Sequence, residues 1–531
     1  MTISQSVSTI LLIVKKQFDN LLKTDYHLIE HMFIELKFNQ YFKDGVIMMG
    51  KKVLIIGAGL AGLSAGIHLQ KQGIKTEIFE ISGQAGGMCT AWERKGYRFD
   101  GCIHWMVGTK HNSSIYRLYR DVDTLSEDTT IYNSESIETE INGVMYKIPL
   151  KFEEFQEFLL SVSPQDSSII QEFCKNIAIM MSNDMPLGMP TGPIAMIKFL
   201  KNNKGFISLA GKYTGISVGN YFSEVQTPLL KSILFSLMPE KYSSFALIMM
   251  LANRMNGNAG YPLGGAHDVI YRMEKLYREL GGDIHFSSKV DQIVVEDGKI
   301  TALEAKGQRY SADSVIGACG LYDLLKNMLG GKYKHKQLDQ LLENAPLFEP
   351  IAVVSFGLKQ KFNIPFSQTY ECPEGIETAP GYFNYRLNLH SLEFDISSAP
   401  QDCSSVMIIL QTNLDYWQNL RKQNITEYNK KKQELALQVS SAIDKRIPGF
   451  SGAIEVTDVA TPATYIRYAN LYKASWEGFE PTPDIIRTNI TKKVDGIKGL
   501  HLCGQWTTIG GGICTAVQSG KEAAAAVIKE L

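Results

Sequence analysis

The sequence carries no excess of charge of either sign: 54 Lys and Arg stand against 55 Asp and Glu, a formal net charge of −1 over 531 residues. Such a balance gives no support to a nucleic-acid partner or a strongly charged substrate. Metal-type cysteine spacing is missing as well. The eight cysteines, Cys89, Cys102, Cys174, Cys319, Cys372, Cys403, Cys503 and Cys514, show no CxxC or CxxH pattern. This argues against structural zinc, thioredoxin chemistry and a disulfide framework, predicts no metal site, and fits a reducing cytoplasm. No stretch reaches the roughly 18 consecutive apolar residues of a membrane-spanning helix, so the expectation is a cytoplasmic protein, with peripheral membrane contact left open. Residues 10–14 are apolar and precede Lys15 and Lys16, and no small-residue cleavage site follows. Residues 1–50 are therefore expected to be a leader, either disordered or upstream of a true start near Met48 and Met49. The rival is a surface anchor whose apolar face continues through Phe18, Leu21 and Leu22.

The first strong signal begins after residue 50. The β-rich run Val53-Leu54-Ile55-Ile56 breaks into Gly57-Ala58-Gly59-Leu60-Ala61-Gly62, and a helical pattern continues to Leu69. This reads as strand, tight turn and helix. Gly57 permits the turn, Gly59 lets the backbone approach a pyrophosphate, and Gly62 lets helix and strand come together. The helix N-terminus offers unpaired N–H groups to phosphate. A second strand, Lys75-Thr76-Glu77-Ile78-Phe79, ends in Glu80, about twenty residues on, where a carboxylate can accept hydrogen bonds from ribose hydroxyls. Gly83-Gln84-Ala85-Gly86-Gly87-Met88 follows at once, too soon for another crossover, and reads as a second phosphate-contacting loop.

At this point the chain resembles the FAD-dependent family that includes phytoene desaturases, carotenoid isomerases and retinol saturases and, more distantly, monoamine oxidases. The residues that carry the resemblance are Gly86 and Gly87, then Gly96-Tyr97-Arg98-Phe99-Asp100, continued by Gly101-Cys102-Ile103-His104-Trp105, closest to the saturase and isomerase branches. Met88 stands where many relatives carry Arg.

Later segments match the same family in order. Tyr261-Pro262-Leu263-Gly264-Gly265 is expected to start a helix that passes Leu276 and Leu280 and is stopped by Gly281-Gly282. A strand at 284–286, the hairpin 290–295 and 301–304 around Asp297-Gly298-Lys299, and a returning strand at 312–316 come next. The resemblance implies that Val290 contacts the adenine through its backbone and that residues 317–320 end near the flavin. The last motif joins Gly499-Leu500-His501-Leu502-Cys503-Gly504-Gln505-Trp506 to Gly510-Gly511-Gly512-Ile513-Cys514-Thr515-Ala516 and a small-faced helix. The resemblance puts Gly511, Gly512 and Ile513 against the isoalloxazine, and Gly504 and Gln505 by the ribityl-phosphate side. The dipole of that helix can stabilise negative charge on a reduced ring. Ile509 and Cys514 replace prolines common in relatives.

The implied architecture is α/β: a Rossmann-like FAD-binding domain of glutathione-reductase type, discontinuous over 51–110, 261–334 and 471–531. An α+β substrate domain is inserted at 111–260 and 335–470. FAD is the implied cofactor and an apolar small molecule the implied partner, with an electron partner unassigned. No second GxGxxG is present, which argues against a dedicated nicotinamide domain. Met180, Met181, Met185, Met189 and Met196 cluster beside prolines 186, 190 and 193, and suit either an adaptable wall for a long apolar guest or plain core and lid. Thr461-Pro462-Ala463-Thr464-Tyr465, Tyr468 and Lys473-Ala474-Ser475-Trp476-Glu477-Gly478 resemble a stretch whose aromatic residues approach the flavin, with Ala474 in place of a usual Gly. His104 is the candidate for polarising or protonating substrate, or a packing residue, and Tyr468 is a second catalytic candidate. Asp100 reads as a brace. The leading expectation is an FAD-dependent oxidoreductase acting on carbon–carbon bonds of a polyene or isoprenoid, whether by desaturation, saturation or isomerisation. The alternatives are an amine oxidase-like enzyme and a non-catalytic lipid or prenyl-protein escort.

Overall fold

The computed structural model describes residues 50–188 and 193–531. The leader, Met189 and Pro190 lie outside the described residues. The strand Lys52–Ile56 forms the middle of a five-stranded parallel sheet because Val53, Leu54 and Ile55 are fully buried, as the unbroken apolar run requires when both faces are covered. Its neighbours are Lys75–Phe79 on one side and Ser314–Gly317 on the other. Asp283–His285 and Leu500–Leu502 complete the edges. The strand at 284–286 is thus an edge of this sheet, one residue earlier than expected.

The helix Leu60–Gln70 follows the first strand and buries nine of its eleven residues, so it has no polar face to expose. Its interior glycines cost about 1 kcal/mol each relative to alanine. That cost is offset by packing: a Cβ on Gly66 would lie 2.6 Å from the Tyr277 ring. The C-terminal helix Ile513–Glu530 packs alongside, and the Ser64 hydroxyl donates to the Val517 carbonyl at 2.7 Å across the contact.

Beside the parallel sheet lies a three-stranded antiparallel one, Val290–Glu296, Lys299–Ala305 and Gln308–Ser311. The reading at 261–265 is corrected: Ala259–Pro262 is a strand, bonded to Met106–Val107 and Ile131–Tyr132, and the helix begins only at Gly265. Pairing on both sides, invisible locally, overrides the glycines and proline there.

The inserted part is a seven-stranded mixed sheet with Ile454–Ala460 at one edge and Val144–Pro149 at the other. Helices Leu414–Gln423 and Ile425–Asp444 cover one face around a core that includes Trp417 and Phe356. A helical lobe with Ser167–Met181 and Ser244–Met255 at its centre forms a second core. Among the described residues no helix is long and apolar enough to cross a membrane.

Candidate active site

A cavity of about 710 Å3 runs between the parallel sheet and the inserted sheet and lobe. Its floor is glycine backbone. Gly57 closes the first strand with φ +104°, and a Cβ there would lie 2.7 Å from the Ala318 carbonyl oxygen, so no other residue fits without moving the neighbouring strand end. Opposite it, Gly510, Gly511 and Gly512 have φ of +82°, +52° and +97° in succession, a path that side chains oppose at every step. The helices that start beside these turns, at Leu60 and at Ile513, have glycine N-caps and no side-chain cap, leaving their ends as dipole-rich sites for anionic groups.

Gly57, Gly59, Leu60, Ala61, Gly86, Gly87 and Met88 line the cavity, as do Val290, Gly504, Gln505, Gly511, Gly512 and Ile513. Ala58 and Gly62 do not. Ala58 donates its N–H to Glu80, and Gly62 packs where a Cβ would lie 1.9 Å from the Gly57 carbonyl oxygen. Glu80 lines the cavity too. Its Oε2 accepts from Ala58 N–H at 2.7 Å and its Oε1 from Ser82 N–H at 2.8 Å. Burial pushes this carboxyl up, against the hydrogen bonds from Ser82 and Ala58 that stabilise its charge. The carboxyl also faces the cavity, from which it can accept a further donor.

Asp100 braces the floor. Oδ1 accepts from the N–H groups of Cys102 and Ile103, and Oδ2 from Ala266 N–H and the Tyr261 hydroxyl. The turn so held delivers His104 to the cavity. His104 is hydrogen-bonded to no described residue, and burial pulls its imidazole down to about 4. His390, from the strand Tyr382–Ser391, faces it, and burial, then His104 and Arg254, hold His390 well below the usual histidine range.

Tyr468 requires a correction. It is 56 % exposed, under the Arg467 guanidinium, and does not line the cavity. It sits in the last turn of Pro462–Ala469, of which Tyr465 is the buried tyrosine, and Tyr465 does not line the cavity either. Nor do most of the clustered methionines. Met180 is core, Met181 packs against that core, and of the four that are described only Met185 reaches the cavity. The thioether wall comes instead from Met106, Met238, Met249, Met250 and Met407. Ala474 adopts φ +52°, a left-handed conformation in which glycine is the easier residue.

Glu477 and Trp476 also line the cavity, although the sequence carried no role for the carboxylate. Burial pushes the Glu477 carboxyl up to about 8. A lone acid among aromatic and small residues was the available signal. His390, which packs on His104 without lining the cavity, had none. Among the described residues no group of three or more His, Cys, Asp and Glu is placed to hold a metal ion.

A model of the flavin containing amine oxidoreductase family matches residues 60–528. The chain belongs to that family. Among its relatives is the lycopene-forming phytoene desaturase of Pseudescherichia vulneris, 24% identical over 523 residues, covering 91% of this chain and all of the relative. The chloroplastic prolycopene isomerase of Arabidopsis thaliana is 21% identical, with 88% and 81% covered. Among solved structures, an oxidoreductase from Methanosarcina mazei superposes with a TM-score of 0.56 at 17% identity, covering 90% of this chain and all of the other. Cyclohexylamine oxidase of Brevibacterium oxydans gives 0.55 at 13%, covering 90% and 99%. The fold is a Rossmann-like α/β flavoprotein fold, and the protein is an FAD-dependent oxidoreductase. The residues present fit the cofactor: glycine cradles at Gly57 and at 510–512, two uncapped helix ends, and a buried carboxylate that faces the cavity.

Proposed function

We propose that the protein exchanges hydride equivalents with a carbon–carbon bond of an apolar polyene or isoprenoid, of carotenoid or retinoid kind, as a desaturase, saturase or isomerase. The observation that carries this reading is the cavity wall. Beside the glycine floor it presents Met238, Met249, Met250, Phe245, Trp105 and Trp476, with few ionisable side chains. Thioethers and aromatic rings suit a long, unfunctionalised guest that must be gripped by dispersion alone. The relatives named for carotenoid chemistry support the same substrate class. An amine oxidase reading calls for an aromatic pair facing the flavin, and Tyr465 and Tyr468 do not line the cavity.

FAD, when bound, supplies the hydride acceptor or donor. The chain's own groups hold it through Glu80, the glycine turns and the two helix ends, orient the substrate between thioether walls and exclude water. His104, neutral at physiological pH, polarises rather than protonates. The dinucleotide unit is read as glutathione-reductase type, supported by the three-stranded sheet beside the parallel one, with the domain division at 110, 260, 334 and 470. Electrons enter or leave through a separate partner. The protein is placed in the cytoplasm, which suits eight free cysteines. It is given peripheral membrane contact, supported by Ile194, Ile197 and Leu200, exposed by 76 %, 67 % and 47 % on the helix Pro193–Asn202.

The test is anaerobic: FAD-loaded protein is mixed with carotenoids, retinoids and amines in turn, in oxidised and reduced form, while the flavin spectrum is followed and products are separated. Spectral change with a polyene and none with amines is expected. Bleaching by amines alone would overturn the reading.

A further inference from the structure

Glu477 is out of place in an apolar cavity. It lines that cavity, and its carboxyl makes no hydrogen bond or ion pair with any described residue. Its position is built in. A Cβ on Gly511 would lie 2.3 Å from Glu477 Cγ, and one on Gly512 would lie 4.0 Å from its Oε1, so the bare backbone of the glycine turn makes the room that this side chain fills. The carboxyl therefore sits at the same turn as the uncapped end of Ile513–Glu530.

The groups that feel its charge come from three other elements. They are Cys102 from the turn after Asp100, Cys514 in the first turn of the last helix, and Tyr242 from the segment before Ser244–Met255. Behind Tyr242 stands Glu480, which accepts from the Tyr242 hydroxyl at 3.2 Å and pairs with Lys241 at 2.7 Å. Burial pushes the Cys514 thiol up to about 11 and raises Tyr242 too, and the neighbouring Cys89, then burial, raises Cys102, so the groups facing Glu477 stay neutral at physiological pH. Among the described residues no cation pairs with a carboxylate here, and the partial charge of the helix end offsets only part of the cost of a buried charge, so burial wins and the carboxyl holds its proton above the usual carboxylate range. A side chain kept only for packing at this position needs no carboxyl. A side chain kept to move a proton needs one held near the working pH, in contact with the reacting space.

We propose that Glu477 is the proton donor and acceptor of the cavity, giving a proton to, or taking one from, the substrate carbon adjacent to the one that exchanges hydride with the flavin. The inference rests on the carbon–carbon reading above. In the reducing direction the π pair of a double bond takes the carboxylic proton of Glu477 at one carbon, while hydride adds at the other. Two C–H bonds form and Glu477 is left as carboxylate. In the oxidising direction the carboxylate removes the proton as hydride leaves, and the pair returns to the double bond. In a redox-neutral isomerisation the same proton is added and then withdrawn. His104, held neutral by burial, is poorly suited to this task.

The first test needs no substrate. The midpoint potential and visible spectrum of the FAD-loaded protein are recorded from about pH 6 to pH 10 in the natural chain and in Glu477→Gln. The natural protein should show an ionisation near pH 8, which the variant loses while keeping FAD. An unchanged ionisation in the variant overturns the proposal, and so does loss of FAD from both Glu477→Gln and Glu477→Asp, which would make the residue a cofactor ligand. With a polyene identified as substrate, the variant should slow substrate-driven flavin bleaching by roughly 10²–10⁴-fold. Glu477→Asp should restore part of that rate. Failure of every polyene to react removes the carbon–carbon reading, and the pH titration still reports separately on Glu477 as an ionising group beside the flavin.

Discussion

The imidazole rings of His104 and His390 lie with centroids 4.4 Å apart and planes 37° from parallel, one carried by the turn that Asp100 braces, the other by a strand of the inserted sheet. His104 lines the cavity, and His390 packs behind it from the inserted sheet. Burial lowers both groups, His104 to about 4. Between that value and the unfolded value of about 6.5, the unfolded chain binds more protons than the folded one. Stability is therefore complete above about pH 6.5 and falls as the solution is acidified through this window. Urea midpoints measured from pH 7.5 to 4.5 should drop with acid, and the double variant His104→Phe, His390→Phe should show a shallower slope. An identical slope in the variant would assign the acid sensitivity elsewhere.

Glu477 has the opposite sign. Its folded value near 8 lies above the ordinary 4.5, so the folded chain retains a proton that the unfolded chain has lost. Its contribution to stability is unfavourable at high pH, and stability declines as pH rises from about 4.5 to about 8. Glu477→Gln removes that decline. The cofactor-free variant should melt above the natural protein at pH 9 and level with it at pH 4.5, by calorimetry.

Glu80 accepts one backbone N–H on each oxygen. In Glu80→Gln one of those N–H groups faces an NH2 instead of an acceptor. The bond that a ribose hydroxyl would donate to the carboxylate is charge-assisted and contributes about 1.5–3 kcal/mol, and the turned amide weakens it, so the FAD dissociation constant should rise by roughly 10–100-fold. Recovery of free-flavin fluorescence on dilution measures it, and tight retention of FAD would contradict the assignment.

A Cβ at Gly520 would stand 2.2 Å from the Ala61 carbonyl oxygen and 2.9 Å from Ser64 Cβ, where the first and last helices touch. Gly520→Ala should destabilise by about 1–3 kcal/mol through overpacking and loosen FAD with it. Gly452→Ala, where nothing lies within 4 Å, is the matched control and should leave the melting temperature in place. Equal effects at the two positions would mean that helix contact is not what Gly520 provides.

The parts legible in the sequence are those dictated by backbone within a few residues. The strand and turn at 53–62, Glu80 after the second strand, and the 510–512 turn were readable because glycine spacing and short apolar runs are local signals. Ala259–Pro262 was misread as a helix start because its two partners are far away in sequence, one of them more than 150 positions before it. Tyr468 was placed in the pocket on a motif, whereas the burial of Tyr465 and the exposure of Tyr468 depend on how one helix meets the inserted sheet. Glu477 stood inside a quoted motif, yet its isolation depends on Cys102, Cys514 and Tyr242 arriving from three distant segments, which no spacing encodes.

The edge strand Leu500–Leu502 pairs with Ser314–Gly317, and the turn at 510–512 completes the glycine floor of the cavity. Until residues 500–502 are in place, the strand Ser314–Gly317 presents an unmatched row of N–H and C=O groups on that side. A chain cut before residue 500 would thus be an adhesive, colourless species rather than a weakened enzyme.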